Sequence, residues 1–377
     1  MKVLYITNGD GPSGSSTALL NIISCLKDKA YIEVVFPRKK GDFSKKLEAM
    51  GIRCYHFRYT MSTYSQDKNP IKRSIYNLYT ILLRYYGLFK LLLIVNRTKP
   101  DIIHTNNGPT DIGYRCAKIM GIRHVWHLRE YVDKDFGFHL IPSFEAYTRQ
   151  YADPANTCIT ITDGVKNHFH LKDNAVTIYD GALTGEPLQS DKKEKTFLFA
   201  GRLQEAKGAF SLLQAYSDYV RGGGSYNLVF AGFCPKDYEL SMRNYIKENG
   251  LCERVKLLGY RTDVNVLMSR ASALFVPSRF EGFGFITAEA MYNHCLVVGR
   301  DLAGTKEQFD NGLRFTGKEI GLRFMDDTEM TRIMFDIEKN DYSDYVDRAF
   351  RVASSLYGAE KNALRIYNLY KKILDIE

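Results

Sequence analysis

Short apolar runs alternate with helical patterns along this chain, and the rhythm starts afresh near its middle. That repeated alternation limits the possible folds more than any other feature. Lys2–Thr7, Ile32–Phe36, Arg53–Phe57, Pro100–His104, His124–Leu128, Cys158–Thr162 and Ala175–Tyr179 read as strands of the first half. Thr196–Ala200, Asn227–Ala231, Val255–Leu258, Ala273–Val276 and Leu296–Val298 read as strands of the second. Helical patterns separate them, for example Ser15–Leu26 with Ser15 or Ser16 as N-cap, and Ala209–Arg221. A strand–helix rhythm of this kind predicts a doubly wound α/β domain in each half. The polar stretch Gly185–Lys195 reads as the linker. The expected domains are 1–187 and 188–358, followed by a helical tail, Ala359–Leu374. A length of 377 residues suits two domains better than one.

Composition excludes several classes. Apolar content of 45% and charged content of 25% are those of an ordinary folded chain. No uninterrupted apolar run reaches about 18 residues, so no spanning helix is expected. The opening MKVLYITN lacks the apolar segment of a signal peptide. Seven cysteines are scattered without a C-x-x-C pair, which points to reduced thiols and a cytoplasmic setting. Cys158 and Cys295 lie in apolar runs and read as core. The net charge of +9 is uneven: residues 1–190 hold 25 basic against 17 acidic side chains. An acidic partner is therefore expected at the first half. No helix-turn-helix, zinc-finger or RNA-binding signature is present, so nucleic acid is not the expected partner.

Residues 68–99 hold Lys68, Lys72, Arg73, Arg84, Lys90, Arg97 and Lys99 with no acidic residue. Tyr76, Tyr79, Tyr85, Tyr86 and Phe89 are interleaved, and Gly87 is expected to kink or divide the helix. Two readings are compatible. One face covers the sheet, and the other rests on an anionic membrane surface. The second reading places the protein at the inner face of the cell membrane.

The most informative stretch is Leu274–Val298, LFVPSRFEGFGFITAEAMYNHCLVV. It reads as a strand, a turn with Gly282, Phe283 and Gly284, and a helix opening near Phe285. A helix start offers free N–H groups and a positive dipole end to a phosphate. Glu281 precedes that start and Glu289 follows it, so two carboxylates flank the anion with acceptors for hydroxyls. A nucleotide-sugar has that chemistry: a diphosphate between two polyhydroxylated ends.

The E-x7-E pair Glu281/Glu289 resembles the donor signature of the GT-B retaining glycosyltransferases of family GT4. The resemblance covers nearly the whole chain and implies two Rossmann-like doubly wound domains facing across a cleft. It implies that Glu281 contacts the donor sugar and that Glu289 binds the ribose. Gly201-Arg202-Leu203…Lys207-Gly208 resembles the family's GRL…KG element, in which Arg202 forks onto phosphate oxygens and Lys207 supplies a point charge. Gly259-Tyr260 corresponds to the segment that frames the base, and Gly14 with Ser15 to the loop facing the phosphates. His127 matches the histidine near the donor sugar, so Glu281, His127, Arg202 and Lys207 are the expected catalytic set. His104, Asn106, Asn107, Arg129 and Glu130, at strand ends of the first half, are the expected acceptor contacts. The final helix is expected to return to the first domain.

Departures from the family pattern are Asp180, where Asn is usual, and His294-Cys295, where a Gly-Pro-like pair is usual. No D-x-D or His/carboxylate cluster suggests a metal, and no cofactor is expected. The implied activity is transfer with retention from a nucleotide-diphosphate sugar, UDP-linked ahead of GDP-linked, to a glycan or lipid-linked acceptor. Two alternatives stay open. Gly9, Gly11 and Gly14 spell G-x-G-x-x-G after a strand, and the basic residues after Ile32–Phe36 would suit an NADP-dependent oxidoreductase. A non-catalytic GT-B sugar-binding partner would carry the same fold.

Overall fold

The apolar runs pair into two separate parallel sheets, as the computed structural model of residues 1–11, 13–64 and 69–376 describes. Unit 1 comprises Met1–Ala182 and Ala359–Glu377, and unit 2 comprises Leu183–Gly358. The strands of unit 1 are β1 (Lys2–Ile6), β2 (Tyr31–Pro37), β3 (Arg53–Phe57), β4 (Ile102–Thr105), β5 (Arg123–Leu128), β6 (Asn156–Thr160) and β7 (Ala175–Thr177). Its helices are α1 (Gly14–Leu26), α2 (Asp42–Ala49), α3 (Pro70–Thr98), α4 (Ile112–Met120), α5 (Asp133–Phe136), α6 (Phe144–Tyr151) and α7 (Asp163–His168). Unit 2 has β8 (Glu194–Ala200), β9 (Asn227–Ala231), β10 (Val255–Leu257), β11 (Ala271–Val276), β12 (Leu296–Arg300) and β13 (Leu322–Phe324). Its helices are α8 (Ala209–Arg221), α9 (Lys236–Glu248), α10 (Val264–Arg270), α11 (Phe285–Tyr292), α12 (Ala303–Thr316), α13 (Asp327–Lys339) and α14 (Ser343–Leu356). The last helix, α15 (Ala359–Ile373), belongs to unit 1.

The sheet orders are β3-β2-β1-β4-β5-β6-β7 and β10-β9-β8-β11-β12-β13. In each, the direction of winding reverses beside the unit's first strand, between β1 and β4 and between β8 and β11. Loops leaving the carboxyl ends of two such strands diverge and open a crevice.

Burial on both faces explains why these strands read as continuous apolar runs. Val3 and Tyr5 join Leu19, Ile22 and Ile23 of α1 and Ala363, Ile366 and Tyr370 of α15 on one face of sheet 1. Leu4 and Ile6 join Leu91 and Val95 of α3 and Ile112 and Cys116 of α4 on the other. Alternate residues of one strand thus feed two cores.

Several expectations are corrected. The N-cap of α1 is Ser13, whose Oγ accepts from Ser16 N at 3.1 Å, not Ser15 or Ser16. β13, three residues long, was too short to leave a pattern. Gly87 does not divide α3, which runs unbroken over 29 residues. A Cβ at Gly87 would lie 2.6 Å from Tyr59 Cβ, so the glycine permits close packing. α3 also contains an 18-residue stretch of mean hydropathy 1.6, apolar enough to cross a membrane. Arg84 and Lys90 interrupt the run when it is read residue by residue, whereas the average over the helix tolerates two charges. Arg84 belongs to the buried face, paired with Asp111. It is not part of any basic outer surface. Lys68 lies outside the described residues.

Candidate functional site

The crevice of unit 2 is framed by the loops after β8 and β11. Gly208 closes the first loop with φ +69°, and a Cβ there would lie 2.7 Å from Pro277 O, so only glycine lets the two loops touch. Just before it, Lys207 reaches across, placing Nζ 2.7 Å from Glu281 Oε1. Arg202 is exposed, its guanidinium stacked over Phe233 at 5.4 Å. Gly201 N donates to Ala231 O at 2.9 Å, and Gly232 N donates to Gly259 O at 2.8 Å. These backbone bonds tie Gly201 and Gly259 to the β9 end. Tyr260 projects outward, 76% exposed.

The Glu281–Gly284 turn is anchored from beneath by α12. Gly304 N donates to Glu281 O at 2.9 Å, and a Cβ on Gly304 would lie 2.5 Å from Phe283 O. Gln308 Nε2 donates to Phe283 O at 2.7 Å and to Gly284 O at 2.9 Å. Phe283 is buried edge-on against Tyr357, 5.2 Å between centroids. With its carbonyls held by α12, the turn delivers the chain into α11 through Gly284. The first amides of α11, at Phe285 and Ile286, have no intrahelical acceptor. On the second turn Glu289 has no side-chain partner among the described residues, and burial pushes its carboxyl up to about 7. This crevice therefore assembles two cations, a helix start and two carboxylates, one of them ion-paired and one near its titration point.

In unit 1 the candidate residues converge at the ends of β4 and β5, next to the loop after β1. Asn106 Nδ2 donates to Ser15 O at 3.4 Å, and Arg129 Nε donates to Asn106 Oδ1 at 3.2 Å. Arg129 Nη1 is ion-paired with Asp180, and Nη2 lies 3.3 Å from His127 Nδ1. His104 Nδ1 lies 2.6 Å from Tyr370 Oη, which is 2.8 Å from Tyr5 Oη. The His104 and His127 rings are 5.4 Å apart. His104, His127, Asn106, Arg129 and Asp180 are all buried. Burial, then the Arg129 charge, holds both histidines well below the usual range, so both rings are neutral near pH 7. Because Arg129 donates toward His127 Nδ1, the ring proton sits on Nε2. That N–H has no hydrogen-bond partner among the described residues. Asn107 and Glu130 form a separate buried pair, Nδ2 being 3.1 Å from Oε2. Burial, with Asp135 nearby, raises the Glu130 carboxyl to about 7. Gly14 is exposed at the start of α1 and joins neither group.

Comparison with known proteins bears on unit 2 first. Residues 184–318 match the family model described as glycosyl transferases group 1. Unit 2 is built around a group 1 glycosyltransferase domain. All the unit 2 candidates lie inside this glycosyltransferase domain. The O-antigen chain mannosyltransferase RfbU of Salmonella typhimurium is 26% identical over 42% of this chain and 45% of its own. An uncharacterized glycosyltransferase of Methanocaldococcus jannaschii is 30% identical over 40% of this chain and 41% of its own. The chain thus spans less than half the length of the curated relatives it matches. The Anabaena HepE structure, in complex with UDP and glucose, superposes with a TM-score of 0.77, covering 99% of this chain and 100% of that one at 18% identity. The two parallel-sheet units have the fold of the GT-B glycosyltransferases.

Four residues of the two units had no role assigned to them from the sequence. Gln308 and Tyr357 support the Glu281–Gly284 turn from α12 and from the end of α14. Asp180, read as a departure from the family pattern, is the counter-charge of Arg129. Tyr370 carries α15 into the His104 cluster. His294, where a glycine is usual, adopts φ +52° and stacks on Phe350 at 4.2 Å, which offsets the strain of a left-handed residue. Among the described residues, no group of three or more His, Cys, Asp or Glu side chains converges as a metal-ligand set.

Proposed function

We propose that this chain is a retaining, metal-independent glycosyltransferase of family GT4. It moves a sugar from a nucleotide-diphosphate donor to a hydroxyl of a glycan or lipid-linked saccharide in surface polysaccharide synthesis. The observation that carries this reading is the Lys207–Glu281 pair at the switch point of the glycosyltransferase domain, beside the start of α11. An arriving diphosphate draws Lys207 and Arg202 to its oxygens and releases the Glu281 carboxylate to accept from a sugar hydroxyl. Glu289 accepts from the ribose hydroxyls. In the transfer step the bond from the anomeric carbon to the diphosphate breaks, and the acceptor oxygen bonds to that carbon on the same face. The acceptor proton passes to the departing phosphate oxygen. Arg202, Lys207 and the helix start stabilise the charge that develops there, in place of a metal. The neutral His127, with its unpartnered Nε2–H, donates to the sugar.

UDP complexes among proteins of this fold favour a UDP-sugar over a GDP-sugar, while the mannosyltransferase relative supports the glycan acceptor. Unit 1 supplies the acceptor contacts at His104, Asn106, Asn107, Arg129 and Glu130. The exposed apolar and basic outer face of α3 supports contact with an anionic membrane, and with it a location at the inner face of the cell membrane. Nucleoside diphosphate release across a panel of UDP- and GDP-sugars, with and without saccharide acceptors, tests the reading. Acceptor-stimulated release is expected. Release that no acceptor accelerates, or stabilisation by NADP in place of UDP, would replace it.

A further inference from the structure

β3 is the edge strand of the unit 1 sheet, and beside it the chain leaves a cavity of about 1080 Å³ against α3. Arg38 and Lys39 enter it from the end of β2, Arg58 from the end of β3, and Lys90 from α3. Tyr76, Tyr79 and Tyr86 form the helical wall, and among the described residues no carboxylate lines the cavity. Four cations, none of them ion-paired among the described residues, favour an anionic occupant. Two further observations mark the same place. Arg38 holds φ +114°, fixed by its N–H bond to Phe57 O at 3.0 Å, a strained conformation of the kind stored at functional sites. Thr80, 1% exposed on the cavity wall, has an Oγ1 with no hydrogen-bond partner among the described residues.

The cavity opens onto a second surface. Ile71, Ile75, Leu78, Leu82, Tyr85, Phe89 and Leu93 recur every three or four residues along α3, and each is more than half exposed. Leu93 belongs both to this stripe and to the cavity lining, so the two surfaces are continuous. Charge decides the occupant. α3 has basic residues but no acidic one from Pro70 to Thr98, so a second copy of the chain would set like charges together. A free anion would fill the cavity and leave the stripe bare.

We propose that the β3–α3 cavity binds the phosphate or diphosphate head of a lipid-linked amphiphile, with its hydrocarbon chain lying along the α3 stripe. This rests on the reading above that the acceptor is lipid-linked and α3 faces a membrane, and it assigns the head group a seat on unit 1. The test is flotation of the full chain with phosphatidylcholine vesicles bearing either phosphatidylserine or polyprenyl phosphate at matched surface charge. The polyprenyl phosphate vesicles are expected to bind about tenfold more tightly, the scale of one charge-assisted hydrogen bond. Arg58→Gln with Lys90→Gln should erase that preference and retain binding to phosphatidylserine vesicles. Leu82→Ser with Phe89→Ser should lose both. All four side chains are solvent-accessible, so folding should survive, and an unchanged melting temperature checks it. Wild-type protein without the preference, or Arg58→Gln/Lys90→Gln protein that keeps it, overturns the proposal. So does inorganic pyrophosphate that raises the melting temperature as much as polyprenyl phosphate does. No turnover enters the experiment, so a failed donor panel leaves it readable.

Discussion

The two switch points are built on the same sheet logic and hold their polar residues in opposite states. At the β8/β11 crevice, Arg202 is exposed, Lys207 and Glu281 form a pair that solvent reaches, and the turn beside them is fixed by backbone contacts to α12. At the β1/β4 crevice, Arg129 links buried His127 and Asp180, and His104, buried with its ring beside His127, bonds Tyr370. A pair that solvent reaches contributes little to stability and can exchange partners when a ligand arrives. A buried charged network is part of the core, and removing one member strands the rest. The first arrangement suits a site that captures an anion and lets it go. The second suits a rigid wall against which another substrate is aligned.

The largest expected effect tests the buried side. Arg129→Ala leaves Asp180 without its counter-charge and should destabilise unit 1 by about 3–5 kcal/mol, read from denaturant unfolding. A stable variant that lost only activity would erase the distinction between the two crevices. The next effect tests the other side. Glu281→Ala and Arg202→Ala should each lower transfer by about 10²-fold. Neither should move the melting temperature appreciably, since the pairs they break are solvent-screened. A marked fall in melting temperature for either variant would show that this crevice, too, is structural.

The contrast also explains what could be read from the sequence. Glu281, Glu289, Arg202 and Lys207 lie on short segments with glycine punctuation, and local spacing was enough to group them. The buried cluster draws Asp180 from 51 residues beyond Arg129 and Tyr370 from 266 beyond His104. No local pattern carries such pairings, so Asp180 looked like an anomaly and Tyr370 like one more apolar-face residue. The helix α3 was misread for a related reason. Apolar residues line more than one of its faces, and periodicity cannot say which face meets the sheet. The contacts of Arg84 with Asp111 and of Gly87 with Tyr59, with Leu91 and Val95 in the core, decide that.

A smaller effect sharpens the comparison within unit 2. Burial raises the Glu289 carboxyl to about 7, above its value in an unfolded chain. In the free protein the proton is therefore retained at lower pH and lost as pH rises through about 7. Ribose hydroxyls donate to the ionised form, so donor binding should release that proton and tighten as pH rises from about 6 to 8, by up to tenfold per pH unit below the titration point. A nucleotide-sugar is the right probe, because its diphosphate has no proton to lose in this window. Isothermal titration in buffers of different ionisation enthalpy should detect the released proton, and Glu289→Gln should flatten the profile. A flat wild-type profile would remove Glu289 from the ribose.

The smallest effect concerns the contact between α15 and the buried cluster. Tyr370 Oη lies within hydrogen-bond distance of His104 Nδ1 and Tyr5 Oη, all in the core. Tyr370→Phe keeps the ring and its packing and removes the hydroxyl alone, so the loss should be about 1 kcal/mol, the net worth of a neutral hydrogen bond. Nucleotide affinity should stay unchanged, because the residues assigned to the nucleotide, Arg202, Lys207 and Glu289, lie in unit 2, and the Tyr370 hydroxyl bonds His104 and Tyr5, not His127. If instead Tyr370→Phe weakened nucleotide binding as much as Glu289→Gln does, the buried crevice would have to be counted as part of the nucleotide site, and the division of labour between the two switch points would fail at its most sensitive point.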